Sequence, residues 1–417
     1  MTFSMMKRPF LAAALSAVIV LGGCTSSSQR PAPSSQHIAV DPPPVMSKGS
    51  TYVPKGVIPD GAASVKVALL VPLSGESLAV GNAMMDAASM AVYDAYMGAP
   101  SNQIKAQIIL LPKDTGNTPA SAARAAQQAI DQGAKIIIGP LFSQSVKNIA
   151  PMAKAAGVTM ITFSNNKAVA EDGVYTFGFL PEQQVERMAE YTYLHSLQRV
   201  AVLAPNDSYG EKVQATLKQE FHKRGGVVSP SELYAPSPAN IDAAVSRLAA
   251  SYTNASDDRK FQAIFIADGG TQLKNIIASL KKTTLDLSKI KLLGTGLWDD
   301  PEIAKIPEMQ GAWFPSAPPK PYAKFERHFM AMYGYKPVRL ASLAYDAVAL
   351  TTSLVMNSPG GHVSKDILTD SQGYISPANS LFRLRRNGIS ERKLCIMEIT
   401  PSGFKVIDLA PKVFEKP

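Results

Sequence analysis

The stretch Val67-Ala-Leu-Leu-Val-Pro-Leu-Ser-Gly75 decides the fold, since it joins an apolar run to a loop of small residues. The full run over 65–73 is too short and too continuous for an amphipathic helix, and predicts a strand buried on both faces. Similar runs follow at 106–111, 134–139 and 158–163, and helix-like segments separate them at 82–97, 118–132 and 143–156. Strands alternating with helices predict a parallel, doubly wound sheet.

The alternation returns after residue 180. Predicted helices at 181–197, 209–224, 240–252 and 271–282 alternate with predicted strands at 199–204, 227–233, 263–267 and 290–294. Two more helices, 322–333 and 342–356, precede a small C-terminal β-meander over 381–386, 394–400 and 404–409. The predicted fold class is therefore α/β: two doubly wound parallel-sheet lobes joined by a hinge, plus the meander.

We assign residues 64–178 and 298–360 to lobe 1, and residues 179–297 and 361–417 to lobe 2. The chain is expected to cross between the lobes near 177–181 and near Gly296, so these positions are the predicted hinge. A cleft between the lobes would meet the carboxyl ends of the strands, where such sheets bind ligands.

The N-terminus has the pattern of a lipoprotein signal. Lys7 and Arg8 precede the apolar run 10–21, which is shorter than the roughly 20 residues that span a bilayer. Leu21-Gly22-Gly23-Cys24 closes it as a lipobox. We predict a signal peptide over 1–23 and lipidation of Cys24. The alternative is an ordinary cleaved signal with an incidental cysteine.

Thr25 stands where lipoproteins kept in the inner membrane mainly carry Asp, which favours the inner leaflet of the outer membrane. Residues 24–63 are rich in Ser and Pro and show no helical or strand period, so we expect a lipidated disordered tether. About 40 such residues reach tens of ångströms from the membrane.

Composition argues against nucleic-acid binding. The formal net charge of +9 is small for 417 residues, and aromatic residues are not interleaved with the densest basic cluster, Arg383, Arg385 and Arg386. With Cys24 acylated, only Cys395 remains, inside the apolar run 394–399, so we expect a buried inert thiol.

Polar side chains and glycines follow many of the predicted strands, at the edge that would face the cleft. Several of these loops precede helices, whose N-termini favour an anionic group. The alternative is that Ser, Asp and Asn only cap helices and turns there. The candidate ligand-binding residues are Ser74, Asp114, Ser143, Gln144, Ser145, Ser164, Asn165, Asn166, Asp207, Tyr209, Asp268, Trp298 and Asp299.

Several motifs carry a family resemblance. The opening stretch, Ile138-Gly-Pro-Leu-Phe-Ser-Gln-Ser145 and Tyr209-Gly210 resemble type I periplasmic binding proteins of the leucine-binding kind over about residues 65–410. Four further motifs resemble the branch called penicillin-binding protein activators, which are envelope lipoproteins. They are Leu111-Pro-Lys-Asp-Thr-Gly116, Thr162-Phe-Ser-Asn-Asn166, Gly178-Phe-Leu-Pro-Glu-Gln-Gln-Val-Glu-Arg187 and Leu203-Ala-Pro-Asn-Asp-Ser-Tyr-Gly210.

The resemblance implies roles for individual residues. Ser143 matches a serine that binds the ligand carboxylate in amino-acid receptors, and Tyr209 matches an aromatic residue of the other lobe. Gly296-Leu297-Trp298 lacks the acid that holds the ligand ammonium there. A buried ammonium without a carboxylate costs several kcal/mol, although the Asp residues among the candidates offer substitutes.

Nothing in the sequence predicts catalysis. The five histidines have no metal-ligand spacing, and Walker, Gly-x-Ser-x-Gly and Gly-x-Gly-x-x-Gly motifs are missing. We therefore expect a non-enzyme with no metal and no cofactor.

The resemblance leaves two functions open. One is a lipid-anchored periplasmic activator of a peptidoglycan synthase, that is, a penicillin-binding protein. The other is a receptor that delivers amino acids or similar small polar ligands to an ABC permease. The expected outer-membrane anchor and the long tether favour the activator.

Replacing Cys24 with Ala should release the protein into the soluble periplasmic fraction, because the lipid would supply all membrane affinity. Cell fractionation and immunoblotting measure this. A Cys395→Ala variant, which keeps the lipobox, should stay with the membranes. Membrane association that persists in Cys24→Ala would contradict the lipid anchor.

Overall fold

The computed structural model describes residues 61–99 and 104–414 of the 417-residue chain. The predicted signal peptide, Cys24 and the tether as far as residue 60 lie outside the described residues. Among the described residues, no helix has both the length and the apolar character needed to cross a membrane.

The first sheet is parallel throughout, with strand order β2-β1-β3-β4-β5. Its strands are β1 (Ala63–Val71), β2 (Ala106–Asp114), β3 (Ile136–Ile138), β4 (Thr159–Thr162) and β5 (Val174–Thr176). Val67 and Leu69 of β1 belong to the core on one face, whereas Ala68 and Leu70 belong to the core on the other. Burial on both faces explains why the opening stretch is a continuous apolar run.

Helices cover both faces of this sheet. They are α1 (Leu78–Met97), α2 (Pro119–Asp131), α3 (Ser143–Ala155), α8 (Pro319–Tyr333), α9 (Ala341–Asn357) and the short α10 (Lys365–Leu368). The side chain of Thr118 accepts a hydrogen bond from the backbone N–H of Ser121 and so begins α2, as a capping box does. Helix α1 begins four residues before the predicted start at Asn82.

The second sheet has seven strands in the order β15-β14-β10-β9-β8-β6-β7. They are β6 (Arg199–Pro205), β7 (Val227–Tyr234), β8 (Ala263–Ile266), β9 (Lys291–Gly294), β10 (Trp313–Ser316), β14 (Cys395–Thr400) and β15 (Gly403–Asp408). Strands β6 to β10 pair in parallel, and β14 and β15 add antiparallel. The helices between these strands are α4 (Pro181–Leu194), α5 (Ser208–Lys223), α6 (Pro238–Asn254) and α7 (Gly270–Lys281).

The antiparallel strands predicted near the C-terminus are present, and they divide between two sheets. Strand β12 (Ser380–Leu384) lies between β11 (Tyr374–Ser376) and β13 (Ser390–Arg392) in a third sheet. Phe382 of β12 is buried in the core of the first sheet, whereas Met397 of β14 is buried in the core of the second. Each strand therefore joins the lobe that buries its apolar side chains.

We call the first and third sheets with their helices the first lobe, and the second sheet with its helices the second lobe. Strand β10 was assigned to lobe 1 from sequence, yet it pairs with β9 and β14 of the second sheet. Strands β11 to β13 were assigned to lobe 2, yet they pack on the first core. The remaining lobe boundaries stay a proposal.

Within the described residues the chain passes between the lobes three times: from β5 to α4, from β10 to α8 and from β13 to β14. The first passage contains the predicted hinge at 177–181. Gly296 lies between β9 and β10 of the same sheet, so it is not at a passage. The hinge motion itself remains a prediction.

A buried charge pair fastens the third sheet beside the first passage. The Arg392 guanidinium at the end of β13 donates from Nη2 to the carbonyl oxygen of Phe177, 2.8 Å away, and lies 4.4 Å from that residue's ring centroid. Asp346 of α9 attracts it and is itself buried. The Asp346 carboxylate also accepts hydrogen bonds from the backbone N–H of Ala378 at 3.0 Å and the side chain of Asn379 at 2.6 Å.

Burial shifts both groups of this pair. It lowers the pKa of Arg392 to about 10, so the guanidinium still carries its charge at neutral pH. Burial also raises the pKa of Asp346 above its usual value, and the positive charge of Arg392 opposes this shift.

Asp346→Ala should lower the free energy of unfolding by about 3–5 kcal/mol, because it leaves a buried guanidinium without its counter-charge. Urea denaturation followed by circular dichroism measures this. Asp131→Ala, at the exposed end of α2, is the matched control and should change stability little. An equal, small effect of both substitutions would contradict the role given to the pair.

Candidate functional site

A cavity of about 560 Å³ opens between the two lobes. The first lobe contributes the loops that follow β3 and β4 and the start of α9. The second lobe contributes the start of α5, the loop after β9 and the end of β10. The lining residues are Leu141, Phe142, Phe163, Asn165, Phe179, Pro181, Gln184, Tyr209, Gly296, Leu297, Asp299, Pro315, Ser316, Ala317, Arg339, Leu340, Leu343 and Leu394. We call this cavity the cleft.

Parallel strands explain the position of the cleft. Because β3 and β4 run in the same direction, their carboxyl ends meet at one edge of the sheet, and the loops after them carry Phe142 and Asn165. The second sheet brings Tyr209, after β6, and Leu297, after β9, to the facing edge in the same way.

Polar groups of the cleft bind one another. The hydroxyl of Tyr209 lies 2.9 Å from Oγ1 of Thr295, and burial raises the pKa of Tyr209 to about 12, so it stays protonated. The side-chain oxygen of Gln184 accepts a hydrogen bond from the backbone N–H of Gly296 at 2.7 Å. Oδ2 of Asp299 accepts one from Ser316 Oγ at 2.8 Å.

Asp299 also faces a cation across the cleft. Nε of Arg339 lies 3.5 Å from Oδ2 of Asp299. Nη1 of Arg339 donates to Asn379 at 2.7 Å, and the guanidinium lies 4.0 Å from the ring centroid of Tyr322 and 5.0 Å from that of Phe179. These contacts hold the Arg339 side chain in one orientation. The opposite charges of Arg339 and Asp299 nearly cancel.

Three of the residues predicted from sequence meet in the cleft: Asn165, Tyr209 and Asp299. Ser74 and Asp114 line a separate pocket of about 380 Å³ beside β2. The carboxylate of Asp114 there accepts hydrogen bonds from the backbone N–H groups of Leu73 at 2.8 Å and Gly116 at 2.9 Å, so it stabilises the turn.

Other predicted residues cap helices and turns, as the alternative interpretation holds. Oγ of Ser164 accepts from the Asn166 N–H at 3.1 Å, and Oδ1 of Asn166 accepts from the Ala168 N–H at 3.1 Å. Asp207 accepts from the N–H groups of Tyr209 and Gly210 and begins α5. The carboxylate of Asp268 accepts from the hydroxyl of Tyr234 at 2.7 Å.

The first turn of α3 lies at the edge of the cleft. Its residues Ser143, Gln144 and Ser145 are half-buried, exposed and buried, respectively, and the residue before them, Phe142, is the one that lines the cleft. Ligand binding by Ser143 remains a prediction.

Trp298 is a core residue of the second lobe. Its side chain is fully buried, and its indole N–H donates to the carbonyl oxygen of Asp268 at 2.9 Å. The ring packs directly on Gly294, where a Cβ atom would come within 2.2 Å of it. The prediction that Trp298 lines the cleft is wrong, because the ring folds under its own loop.

Several lining residues were not predicted. Phe142 and Phe179 lie inside the motifs quoted above, in which only polar residues are candidates. Arg339 lies outside every loop considered, just before α9, and only the return of the chain to the first lobe brings it to the cleft. The sequence signal that could have identified Arg339 is a single basic residue next to an apolar helix.

A lysine of the second lobe bridges to the first across the cleft edge. Nζ of Lys212 on α5 donates to Oδ1 of Asn166 at 3.0 Å and lies 3.8 Å from Oε1 of Glu182. Lys167 of the first lobe lies 3.5 Å from the same carboxylate oxygen. The Glu182 side chain is only 4% exposed, so these two lysines are its counter-charges. The Lys212–Asn166 and Lys167–Glu182 contacts cross between the lobes, whereas Lys212 and Glu182 belong to the same lobe.

Within residues 61–99 and 104–414, no group of three or more His, Cys, Asp or Glu side chains is arranged to hold a metal ion. The thiol of Cys395 donates to the carbonyl oxygen of Ser316 at 3.1 Å, and burial raises its pKa to about 12. A thiol with so high a pKa carries little thiolate at neutral pH and is a poor nucleophile.

Two α/β lobes with a cleft at the carboxyl ends of their strands define a bilobal binding protein. Residues 64–401 match the family model described as periplasmic binding protein. The chain therefore belongs to the periplasmic binding protein family.

The sequences of related proteins align with part of this chain. An uncharacterised protein of Rickettsia prowazekii is 28% identical over 228 residues, which make up 54% of this chain and 59% of that protein. The penicillin-binding protein activator LpoA of Pasteurella multocida is 26% identical over 227 residues, 54% of this chain and 34% of LpoA. The chain thus spans less than two thirds of either relative.

Solved structures share the fold. The leucine-binding protein LivK of Thermotoga maritima superposes with a TM-score of 0.62 at 21% identity, and the match covers 83% of this chain and 98% of LivK. This likeness shows the α/β fold with parallel sheets and a C-terminal antiparallel addition.

Lys212→Met should loosen the closed arrangement of the lobes, because it removes the hydrogen bond to Asn166 that crosses between them. A loss of about 1 kcal/mol would lower the ratio of closed to open molecules roughly fivefold. Small-angle X-ray scattering measures this as a larger radius of gyration.

Lys218→Met, on the exposed side of the same helix, is the matched control and should leave the scattering unchanged. A Lys212→Met profile identical to that of the unmodified protein would show that this lysine does not hold the lobes together.

Proposed function

We propose that the protein is a non-catalytic regulator of peptidoglycan synthesis that stimulates a penicillin-binding protein, as the name of its LpoA relatives describes for them. The similarity to LpoA over 227 residues is the observation that carries this proposal. The four sequence motifs that resemble the activator branch are consistent with it.

The chemistry of the cleft also favours a regulator over an amino-acid receptor. Among the described residues, Asp299 supplies the only carboxylate that lines the cleft, and Arg339 and Ser316 already bind it. An amino-acid ligand would therefore bring an ammonium group without a counter-charge, which costs several kcal/mol when buried.

We place the protein in the periplasm, anchored by a lipid on Cys24 to the inner leaflet of the outer membrane, with residues 24–63 as its tether. From there the folded lobes would reach a synthase in the inner membrane. The length of this proline-rich segment supports the proposal, because some 40 residues extend over tens of ångströms.

A second candidate function is that of a solute-binding receptor for an ABC permease. The observation that favours it is the cleft itself, since a cavity of about 560 Å³ is large enough for a small ligand. This alternative and the regulator share one fold, and the site alone distinguishes them.

The purified protein should raise the rate of glycan polymerisation or of crosslinking by a penicillin-binding protein of the same cell, because a regulator acts by contact with the synthase. Incorporation of labelled lipid II, with and without the protein, measures both rates. Heat-denatured protein is the control. If no synthase responds, while uptake of a radiolabelled solute requires this protein, the receptor function replaces the proposed one.

A further inference from the structure

Apolar side chains form most of the wall of the cleft. Phe163 and Leu343 are buried behind it, and Phe142 and Leu297 stand at its two sides. These last two belong to opposite lobes and are 40% and 48% exposed. Apolar surface that faces a shared cavity from both sides is typical of a binding site for an apolar group.

The charges in the cleft cancel. Of the lining residues in the described part of the chain, only Asp299 and Arg339 are charged, and Nε of Arg339 lies 3.5 Å from Oδ2 of Asp299. Gln184 and Tyr209 are hydrogen-bonded to the protein as well. A ligand with an ammonium group would have to break the Asp299 contacts to obtain a partner, whereas an apolar body needs no such rearrangement.

We infer that the cleft binds a compact apolar ligand, aromatic or branched aliphatic, that carries no ammonium group. The volume of about 560 Å³ lies within the usual range for small-molecule sites. Binding would cover Phe142 and Leu297 together, so the ligand would contact both lobes. This inference does not depend on whether the protein serves a synthase or a permease.

Three probes that share one isobutyl-containing body test the inference on the full folded protein. They are leucine, 4-methylpentanoate, which lacks the amine, and 4-methylpentan-1-ol, which is uncharged. Isothermal titration calorimetry should show that at least one of the two amine-free probes binds about tenfold or more tightly than leucine, the ratio expected when an ammonium finds no partner. Leucine binding as tightly or more tightly, or no binding by any probe, would overturn the inference.

Substitutions at the two exposed side chains locate the site. Phe142→Ser and Leu297→Ser should each weaken the better amine-free probe roughly five- to tenfold, because each removes apolar surface that the ligand covers. Both side chains are exposed, so the variants should keep the melting temperature of the unmodified protein.

Leu194→Ser is the matched control, since Leu194 is 71% exposed at the end of α4 and does not line the cleft. Equal weakening in all three variants would place the ligand outside the cleft and refute the inference. The synthase assay described above is a separate readout. Absence of binding by every probe would refute the ligand inference without contradicting the proposed regulation. An unchanged synthase rate would contradict the regulation without contradicting the ligand inference.

Discussion

The buried guanidinium of Arg392 is the contact on which the arrangement of the two lobes depends. It lies within 5.5 Å of the ring centroids of Phe177, Phe179 and Phe382, and thus joins the first passage between the lobes to the third sheet. Its backbone N–H also donates to the side chain of Gln183 at the start of α4. A charge this deeply buried requires a counter-charge, and Asp346 supplies it from α9. Three separate parts of the chain are therefore held at one point next to the hinge.

The cleft follows from this arrangement, and its chemistry differs from that of an amino-acid site. Gly296-Leu297-Trp298 contains no acid, and the carboxylate that follows it, Asp299, faces Arg339. The hydroxyl of Tyr209 and the side-chain oxygen of Gln184 each have a hydrogen-bond partner within the protein. The family thus supplies the two-lobed framework, while the side chains at the strand ends decide what can bind there. This separation is why membership of the periplasmic binding protein family is compatible with both a regulator and a receptor.

Short-range patterns account for the elements that the sequence predicted well. The strand predicted at 65–73 is β1 at Ala63–Val71, and the run at 199–204 is β6 at Arg199–Pro205. Continuous apolar runs of this length are typical of strands buried on both faces of a parallel sheet that helices cover. The candidate site was predicted less well. Asn165, Tyr209 and Asp299 reach the cleft, while Asp114 and Asp207 hold turns and Trp298 fills the core, because polar loop residues perform all these roles with the same sequence signature.

The sequence by itself determined the α/β class, the alternation of strands and helices and the positions of the loops between them, since these depend on local periodicity and turn residues. Only the tertiary structure decided that β10 joins the second sheet, that β12 and β14 part into different lobes, and that Arg339 meets Asp299. Asp299 and Arg339 are forty positions apart, on different lobes, and nothing in the local pattern of either residue indicates the other. Long-range contacts decide these positions, because each strand packs where its apolar face is buried and each charge lies near its counter-charge.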